Sequence, residues 1–156
     1  MLNNRWTLWY HSIKDTNWSK QSYKEIFVIE NMFDYMIHRE IIKPHHLYNG
    51  MLFLMKDKIY PIWEDPNNRM GCCLSFKIPY NKVKDQWDKY VLYVINELIS
   101  SKPDTITGIS IAPKKEFNII KLWISQSNDN ICNTIYYDDN LLKKDNMKCK
   151  KHILTD

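Results

Sequence analysis

The stretch Pro-Ile-Trp-Glu-Asp-Pro-Asn-Asn, residues 61–68, places a large aromatic ring and a carboxylate side by side at the start of a turn. Turns that contain proline and asparagine usually carry small polar side chains. An indole in such a turn either folds back into the core or stays outside for a ligand. Trp63 and Glu64 are therefore the first candidates for a binding site, and Trp18, in a second polar segment, is another.

A carboxylate beside an aromatic face has the chemistry to select one nucleobase. The Watson–Crick edge of guanine offers two N–H donor groups next to the O6 acceptor, and the carboxylate of Glu64 can accept from both. Adenine sets its N1 acceptor against the same carboxylate and leaves polar groups unpaired. Each charge-assisted hydrogen bond of this kind contributes about 1.5–3 kcal/mol. The pair therefore favours guanine over adenine.

Two indole faces favour a positively charged base. A guanine methylated at N7 carries a positive charge, and an aromatic face attracts a cation by about 0.5–1 kcal/mol when exposed and by about 2 kcal/mol or more when desolvated. Trp18 and Trp63 on either side of one base would therefore prefer 7-methylguanine to unmodified guanine. These residues are far apart in the sequence, so the elements that carry them must bring them together.

The composition fits a single globular domain over residues 1–156, with about 145–156 as a loose C-terminal segment. Of the 156 residues, 44% are hydrophobic and 26% are charged. Lysine and arginine exceed aspartate and glutamate by 22 to 18, which gives a weak preference for anionic partners. No apolar run has membrane-spanning length and no signal-peptide pattern follows Met1, so we expect a cytoplasmic protein.

The cysteine and histidine residues do not predict a metal site. The four cysteines form no Cys-x-x-Cys pair, and Cys72 and Cys73, being adjacent, should point to opposite faces of a strand. We therefore expect reduced thiols, with no disulfide framework. The pair His45-His46 has no third ligand at a suggestive spacing. The sequence also lacks a glycine-rich phosphate loop and a Gly-x-Ser-x-Gly motif, so no cofactor and no catalytic residue is predicted.

Short strands dominate the predicted secondary structure. Alternating or continuous apolar runs predict strands over 5–11, 23–29, 50–56, 59–63, 71–78, 108–112 and 118–125, with 148–154 as a last strand or a loose tail. The runs 50–56 and 59–63, separated by Asp57-Lys58, are typical of a tight hairpin.

Helical spacing is found in three segments. Apolar residues recur at intervals of three and four over 29–41 and, for the longest helix, over 83–98, and a weaker helix is predicted over 128–144. The segment 44–46 is predicted to form a loop. Because most connections are too short for parallel crossovers, we predict an α+β fold with a mainly antiparallel sheet and helices on one face. The other face is then free to hold a flat ligand.

Several motifs occur in an order that is specific. They are Asn-Arg-Trp-Thr-Leu-Trp-Tyr at 4–10, Trp18, Lys-Asp-Lys-Ile-Tyr-Pro-Ile-Trp-Glu-Asp-Pro-Asn-Asn at 56–68, the segment 108–115 and Leu-Trp at 122–123. Together they resemble the cap-binding translation initiation factor 4E family over about residues 3–125. The resemblance implies a strongly curved antiparallel sheet, backed on its convex face by about three helices, that holds the 7-methylguanosine cap of mRNA. It also implies a monomer that supports cap-dependent translation initiation and is not an enzyme.

The resemblance assigns roles to four residues around the base. Trp18 and Trp63 match the two tryptophans that stack on the methylated base, and Glu64 matches the acceptor for the guanine edge. Trp123 matches the tryptophan near the N7-methyl group.

The expected phosphate contacts differ from the family pattern. Lys114 or Lys115 lies where the family has an arginine on the cap phosphates. Ile119 replaces a phosphate-binding lysine and Cys73 replaces a phosphate-binding arginine. Lys121, on the same strand face as Ile119, is the candidate that compensates.

The resemblance also implies a protein partner on the convex face. The run Ile29-Glu30-Asn31-Met32-Phe33 lies where the family has Val-Glu-Asp-Phe-Trp, which receives the Tyr-x-x-x-x-Leu-φ helix of initiation factor 4G and of 4E-binding proteins. The candidate contact residues are Ile29, Glu30, Phe33 and Leu92. Two alternatives remain open: a cap-binding repressor or decoy that does not recruit initiation factor 4G, and an interaction module of the same fold that has lost cap binding.

Overall fold

A computed structural model describes residues 1–128, 130–136 and 147–152 and contains an open antiparallel sheet with helices on one face. The strands are β1 (Trp6–Ser12), β2 (Lys24–Ile29), β3 (Gly50–Lys56), β4 (Cys72–Pro79), β5 (Ile106–Pro113), β6 (Phe117–Ile124) and β7 (Met147–Lys151). Their order across the sheet is β2-β1-β3-β5-β6-β4-β7, and every neighbouring pair is antiparallel. The α-helices are α1 (Met32–Ile41), α2 (Pro44–Asn49) and α3 (Val83–Ile95). The predicted fold class is confirmed.

The two faces of the sheet pack differently, as β3 illustrates. Leu52 and Leu54 belong to the main core, which also contains the buried side chains of the helices. Phe53 and Met55, which alternate with them, belong to a smaller cluster on the opposite face. Below, the first face is called the helix face and the second the cleft face.

Helix α3 covers the centre of the helix face. Its apolar residues recur at helical spacing, and Trp87, Tyr90 and Val91 are fully buried. Removing an indole as deeply buried as that of Trp87 would cost about 3–5 kcal/mol of folding free energy. Trp87 is therefore a core residue. The helix ends at Ile95, slightly earlier than predicted, and Glu97 follows with a left-handed φ of 60°.

The predicted hairpin between 50–56 and 59–63 is wrong. Strand β3 pairs with β1 on one side and with β5 on the other, so it has no free edge for a third strand. The chain turns away after β3 at Asp57, which has a φ of 49°. Residues 59–63 lie instead in a long turn that leads to β4.

The predicted loop at 44–46 is also wrong, because helix α2 begins there. Pro44 occupies the first helical position, where the missing N–H costs nothing. The backbone N–H of Lys43 donates to Nδ1 of His46 at 2.9 Å, which closes the first turn. Pro44 and His46 are therefore local signals of a helix start, although proline and polar residues also favour loops.

The C-terminal predictions are covered only in part. Ile131–Thr134 forms a short 3-10 helix, and residues 129 and 137–144 of the helix predicted over 128–144 lie outside the described residues. The predicted last strand is found as β7, paired with β4, while 153–154 lie outside the described residues. In the described ranges, no helix is long and apolar enough to span a membrane.

Candidate functional site

The cleft face carries a cavity of about 420 Å³. It brings together six of the residues that the sequence singled out, which are Trp18, Trp63, Glu64, Lys114, Lys121 and Trp123. The rest of the lining consists of Tyr23, Met51, Phe53, Pro61, Ile62, Ser110, Ile111, Ala112 and Ile119. The cavity is therefore mostly apolar, with one carboxylate and two lysines at its margin.

The turn between β3 and β4 holds its shape through Asp65. This side chain is only 6% exposed, and its carboxylate accepts hydrogen bonds from the backbone N–H groups of Tyr60 and Asn67, both at 2.9 Å. The side-chain amide of Asn67 donates to it as well, at 3.1 Å. Because Asp65 satisfies the inside of the turn, its neighbour Glu64 is left on the outside.

Asn68 fixes the same turn to the sheet. Its fully buried amide donates to the carbonyls of Tyr60 and Ile62 at 3.1 and 3.0 Å, and its side-chain oxygen accepts from the hydroxyl of Thr107 at 2.8 Å. A buried amide with its polar atoms paired is strongly stabilising relative to an unpaired one. The two polar residues after Trp63-Glu64 therefore explain why the aromatic and acidic side chains are presented at the cavity.

Trp63 forms one wall of the cavity and is half-buried. Its ring stacks on the imidazole of His152, with centroids 5.1 Å apart and planes inclined by 16°. The ammonium of Lys150 lies 5.3 Å from the Trp63 ring centroid. Both neighbours come from the end of the described chain, in or next to β7, so the C-terminal strand supports this wall.

Glu64 is exposed and makes no hydrogen bond or ion pair with any described residue. The pKa of the nearby Tyr23 is raised to about 12, first by burial and then by the negative charge of the Glu64 carboxylate. The phenol of Tyr23 therefore stays protonated at neutral pH. The arrangement leaves the Glu64 carboxylate available for two donors from a ligand.

Trp18 is the second tryptophan on the cavity and is 53% exposed. Its ring stacks on the buried imidazole of His11, with centroids 4.1 Å apart and planes inclined by 4°. The segment that carries it is ordered by side-chain to backbone bonds: Asp15 accepts from the N–H of Asn17 at 2.8 Å, and Asn17 accepts from the N–H of Ser19 at 2.9 Å. Trp18 is thus held at the rim without being packed into the core.

Trp123 lies in the floor of the cavity rather than in a wall. It is 3% exposed, its indole N–H donates to the hydroxyl of Ser110 at 3.0 Å, and its ring meets Phe53 edge-on at 6.3 Å. Such a satisfied indole gives a rigid apolar surface beneath a ligand. Trp6 and Trp87, in contrast, are buried in the core on the helix face.

The basic side chains at the cavity match the sequence predictions incompletely. Lys114, in the β5–β6 hairpin, and Lys121, on β6, line the cavity, whereas Lys115 does not. Ile119 lines it two residues before Lys121, as expected for one strand face. Cys73 is buried and lies 3.1 Å, Sγ to Nε2, from His152. The positive charge in the lining at this end of the cavity therefore comes from Lys114 and Lys121.

No group of three or more histidine, cysteine, aspartate or glutamate side chains within the described ranges has the arrangement of a metal site. The rings of His45 and His46 lie 4.0 Å apart on α2, away from the cavity. Cys72 and Cys73 point to opposite sides, one into the main core and one into the cleft cluster, as predicted. All four cysteines are free thiols.

The predicted partner face carries exposed apolar side chains on α1. Phe33 is 72% exposed and Met36 is 50% exposed. Glu30 is exposed, and its carboxylate lies 3.7 Å from the guanidinium of Arg5, while Leu92 is half-buried. Ile29 is fully buried, so its predicted direct contact with a partner is not available to its side chain.

Among the residues that line or support the cavity, the sequence reasoning missed His11, Tyr23 and His152. His11 has a sequence signal, since strand alternation puts it on the same face as Trp9. Tyr23 has a weaker one, because it is five residues after Trp18 at the start of a strand. His152 has none, because its contact with Trp63 depends on the pairing of β7 with β4.

Comparison with known proteins finds similar sequences that match most of this chain. The sequence profile described as Eukaryotic initiation factor 4E matches residues 1–152. Eukaryotic translation initiation factor 4E-1B of Danio rerio is 28% identical over 142 residues, covering 87% of this chain and 65% of the relative. Eukaryotic translation initiation factor 4E of Candida glabrata is 29% identical over 136 residues, covering 78% of this chain and 61% of the relative. The chain thus spans less than two thirds of the length of these relatives.

The fold is similar to that of a solved complex. The structure of C. elegans eIF4E-3 with the 4E-binding protein Mextli and cap analog superposes with a TM-score of 0.76 at 21% identity, covering 85% of this chain and 78% of that one.

Proposed function

Because the chain belongs to the eukaryotic initiation factor 4E family, we propose that it binds the 7-methylguanosine cap at the 5′ end of mRNA and supports cap-dependent translation initiation. One observation carries the proposal: Trp18 and Trp63, from two separate loops, line the same cavity with Glu64 beside them. The complex of a structural neighbour with a cap analog supports the same ligand for this fold.

In this proposal the methylated base lies between the two indoles. Its positive charge gains cation–π energy on each face, about 2 kcal/mol or more where water is excluded. The carboxylate of Glu64, free of other partners among the described residues, accepts from N1–H and the N2 amine of guanine. Trp123, in the floor, faces the methyl group. We infer that this set of contacts distinguishes 7-methylguanine from guanine and guanine from adenine.

The cap phosphates are assigned to the lysines at the end of the cavity. Lys114 and Lys121 line it, and Lys115 extends the positive region at the exposed β5–β6 hairpin. Lysine ammonium groups hold phosphates as point charges rather than through a bidentate fork. Exposed ion pairs contribute about 0–1 kcal/mol each. Because salt screens exposed charges, we expect the contribution of the phosphate contacts to cap affinity to fall with rising salt.

The function proposed is binding, without a covalent step and without a cofactor. We propose that residues 1–156 form a single cap-binding domain and that the protein is a monomer. Within the segment 145–156, which was expected to be loose, residues 147–151 form β7 and pair with β4. Its place of action would be the cytoplasm, where capped mRNA is translated.

The retention of the protein on a cap resin tests the proposal. The protein should be retained on immobilised 7-methyl-GTP and released by free 7-methyl-GTP but not by the same concentration of GTP, because only the methylated base is cationic. A protein that passes through the resin, while folded by circular dichroism, would favour the alternative of an interaction module without cap binding.

For the helix face, we propose initiation factor 4G or a 4E-binding protein as the partner, through a Tyr-x-x-x-x-Leu-φ helix. Replacing Phe33 with alanine should reduce the affinity for such a peptide about 10-fold, since it removes an exposed aromatic anchor worth about 1–2 kcal/mol. Fluorescence anisotropy of a labelled peptide measures the effect. Trp18→Ala is the matched control, because it removes an aromatic ring from the cleft face and should leave peptide binding unchanged. Equal peptide affinity of Phe33→Ala and the unmodified protein would contradict this assignment.

A further inference from the structure

Each of the two cavity tryptophans is supported by a histidine. Trp18 stacks on His11 with ring planes inclined by 4°, and Trp63 stacks on His152 with planes inclined by 16°. Both imidazoles are buried, with exposed fractions of 0% and 7%, and both are hydrogen-bonded to backbone carbonyls. In both loops, therefore, the tryptophan ring stacks on a buried and hydrogen-bonded histidine.

We propose that His11 and His152 are positioning residues that hold the two tryptophan rings at the separation and tilt that a single 7-methylguanine requires. The inference rests on the proposed cap-binding function and adds to it two residues that touch the tryptophans rather than the base. Their effect is expected in selectivity for the methylated base, since the cation–π contribution depends on the faces of the indoles being correctly placed.

The orientation of His152 is fixed by two hydrogen bonds. Its Nδ1 lies 2.6 Å from the carbonyl oxygen of Asn68, so Nδ1 carries the proton and donates it. Its Nε2 lies 3.1 Å from Sγ of Cys73 and accepts from the thiol in the neutral ring. Burial raises the pKa of Cys73 to about 12, which keeps that thiol protonated as a donor.

Burial favours a neutral imidazole at His152. Its pKa is lowered, first because burial disfavours the imidazolium; the Asn68 carbonyl opposes this, Lys121 adds to it and the Glu64 carboxylate opposes it. The ammonium of Lys150 also lies 5.3 Å from the Trp63 ring centroid. A neutral imidazole stacked on Trp63 adds no positive charge beyond that of Lys150 that would repel a cationic base.

Cys73, which cannot bind phosphate, contributes to the support of Trp63 through its contact with His152. Cys73 on β4, His152 after β7 and Asn68 in the turn that carries Trp63 are joined in one buried chain of hydrogen bonds. The turn is thereby tied to the last strand of the sheet. A substitution at any of these three residues should therefore alter the position of the Trp63 ring in the cavity.

His11 has the corresponding place behind Trp18. Its Nδ1 and Nε2 lie 2.8 Å from the carbonyl oxygens of Ser12 and Asn17, one residue before Trp18. A neutral imidazole donates to one of these carbonyls and the imidazolium to both. With Nε2 protonated, the ring donates to Asn17 and links β1 to the segment that carries Trp18, and its stacking restricts an otherwise half-exposed indole.

The first experiment compares affinities for 7-methyl-GTP and GTP. His152→Ala and His11→Ala should each weaken 7-methyl-GTP binding about 10-fold, the scale of one aromatic stacking contact, and GTP binding by less, so that selectivity falls. His152→Phe should restore part of the loss by replacing the stacked ring. His38→Ala is the control, because it removes a third buried histidine, on α1, that lies outside the cavity.

Equal losses for both nucleotides, or a selectivity change in His38→Ala as large as in His152→Ala, would indicate a general effect on folding and overturn the inference. Unchanged affinities would overturn it as well. Thermal unfolding of each variant shows whether the fold is kept.

The second experiment needs no ligand. In protein labelled with 5-fluorotryptophan, the ¹⁹F resonance of Trp63, assigned through Trp63→Phe, should shift or broaden in His152→Ala, and that of Trp18 should do so in His11→Ala. Unchanged resonances would contradict a positioning role even if the unmodified protein binds the cap. If the unmodified protein binds neither nucleotide, the proposed function fails, and the role of the histidines in base binding fails with it.

Discussion

Replacing Glu64 with glutamine should weaken binding of 7-methyl-GTP about 100-fold. The carboxylate accepts from two guanine donors, whereas an amide accepts with its oxygen only and sets its own N–H₂ against the second donor. The loss of charge-assisted bonds and the unpaired polar groups together amount to roughly 3 kcal/mol, which corresponds to about 100-fold in affinity. Isothermal titration calorimetry at fixed salt measures it.

Glu116→Gln is the matched control for this prediction. Glu116 is an exposed carboxylate in the β5–β6 hairpin, outside the lining of the cavity, so its replacement changes the net charge equally. We expect nearly unchanged affinity for Glu116→Gln. A fully competent Glu64→Gln variant would mean that another group reads the guanine edge.

Replacing Trp18 with alanine should weaken 7-methyl-GTP binding about 30-fold. The change removes one face of the base sandwich, which is worth about 2 kcal/mol from stacking and cation–π attraction. Because Trp18 is 53% exposed, the free energy of unfolding should hardly change, and the effect can be assigned to binding. Titrations of both nucleotides and a denaturant unfolding curve are the measurements.

Phe33→Ala serves as the control for Trp18, since it also truncates an exposed aromatic ring, but on α1. It should bind 7-methyl-GTP as the unmodified protein does. A Trp18→Ala variant with unchanged affinity would show that Trp18 is a surface residue that does not contact the base.

The predictable part of the site is local in sequence. Trp63 and Glu64 are presented because Asp65 and Asn68, a few residues away, satisfy the inside of the same turn. Strand β3 was predictable for the same reason, because its continuous apolar run over 51–55 is visible in the sequence and fits a strand buried on both faces. Helix α3 was predicted from its spacing, with an error of a few residues at its end.

The part that could not be predicted depends on long-range pairing. Residues 59–63 have the composition of a strand, but both edges of β3 are occupied by β1 and β5, a fact of topology that no local pattern contains. His152 reaches Trp63 only because β7 pairs with β4. The stacking of His152 on Trp63 therefore could not be predicted from the sequence, although Trp63 itself was predicted as a ligand-binding residue.

The measurement that tests the central claim most directly is the titration of 7-methyl-GTP and GTP against intrinsic tryptophan fluorescence. With Trp18 and Trp63 on the same cavity, 7-methyl-GTP should quench the emission at a concentration about 30-fold or more below that of GTP, from about 2 kcal/mol of cation–π preference. Equal quenching by the two nucleotides at equal concentrations would contradict the account, since the methyl charge would then gain nothing from the two indoles.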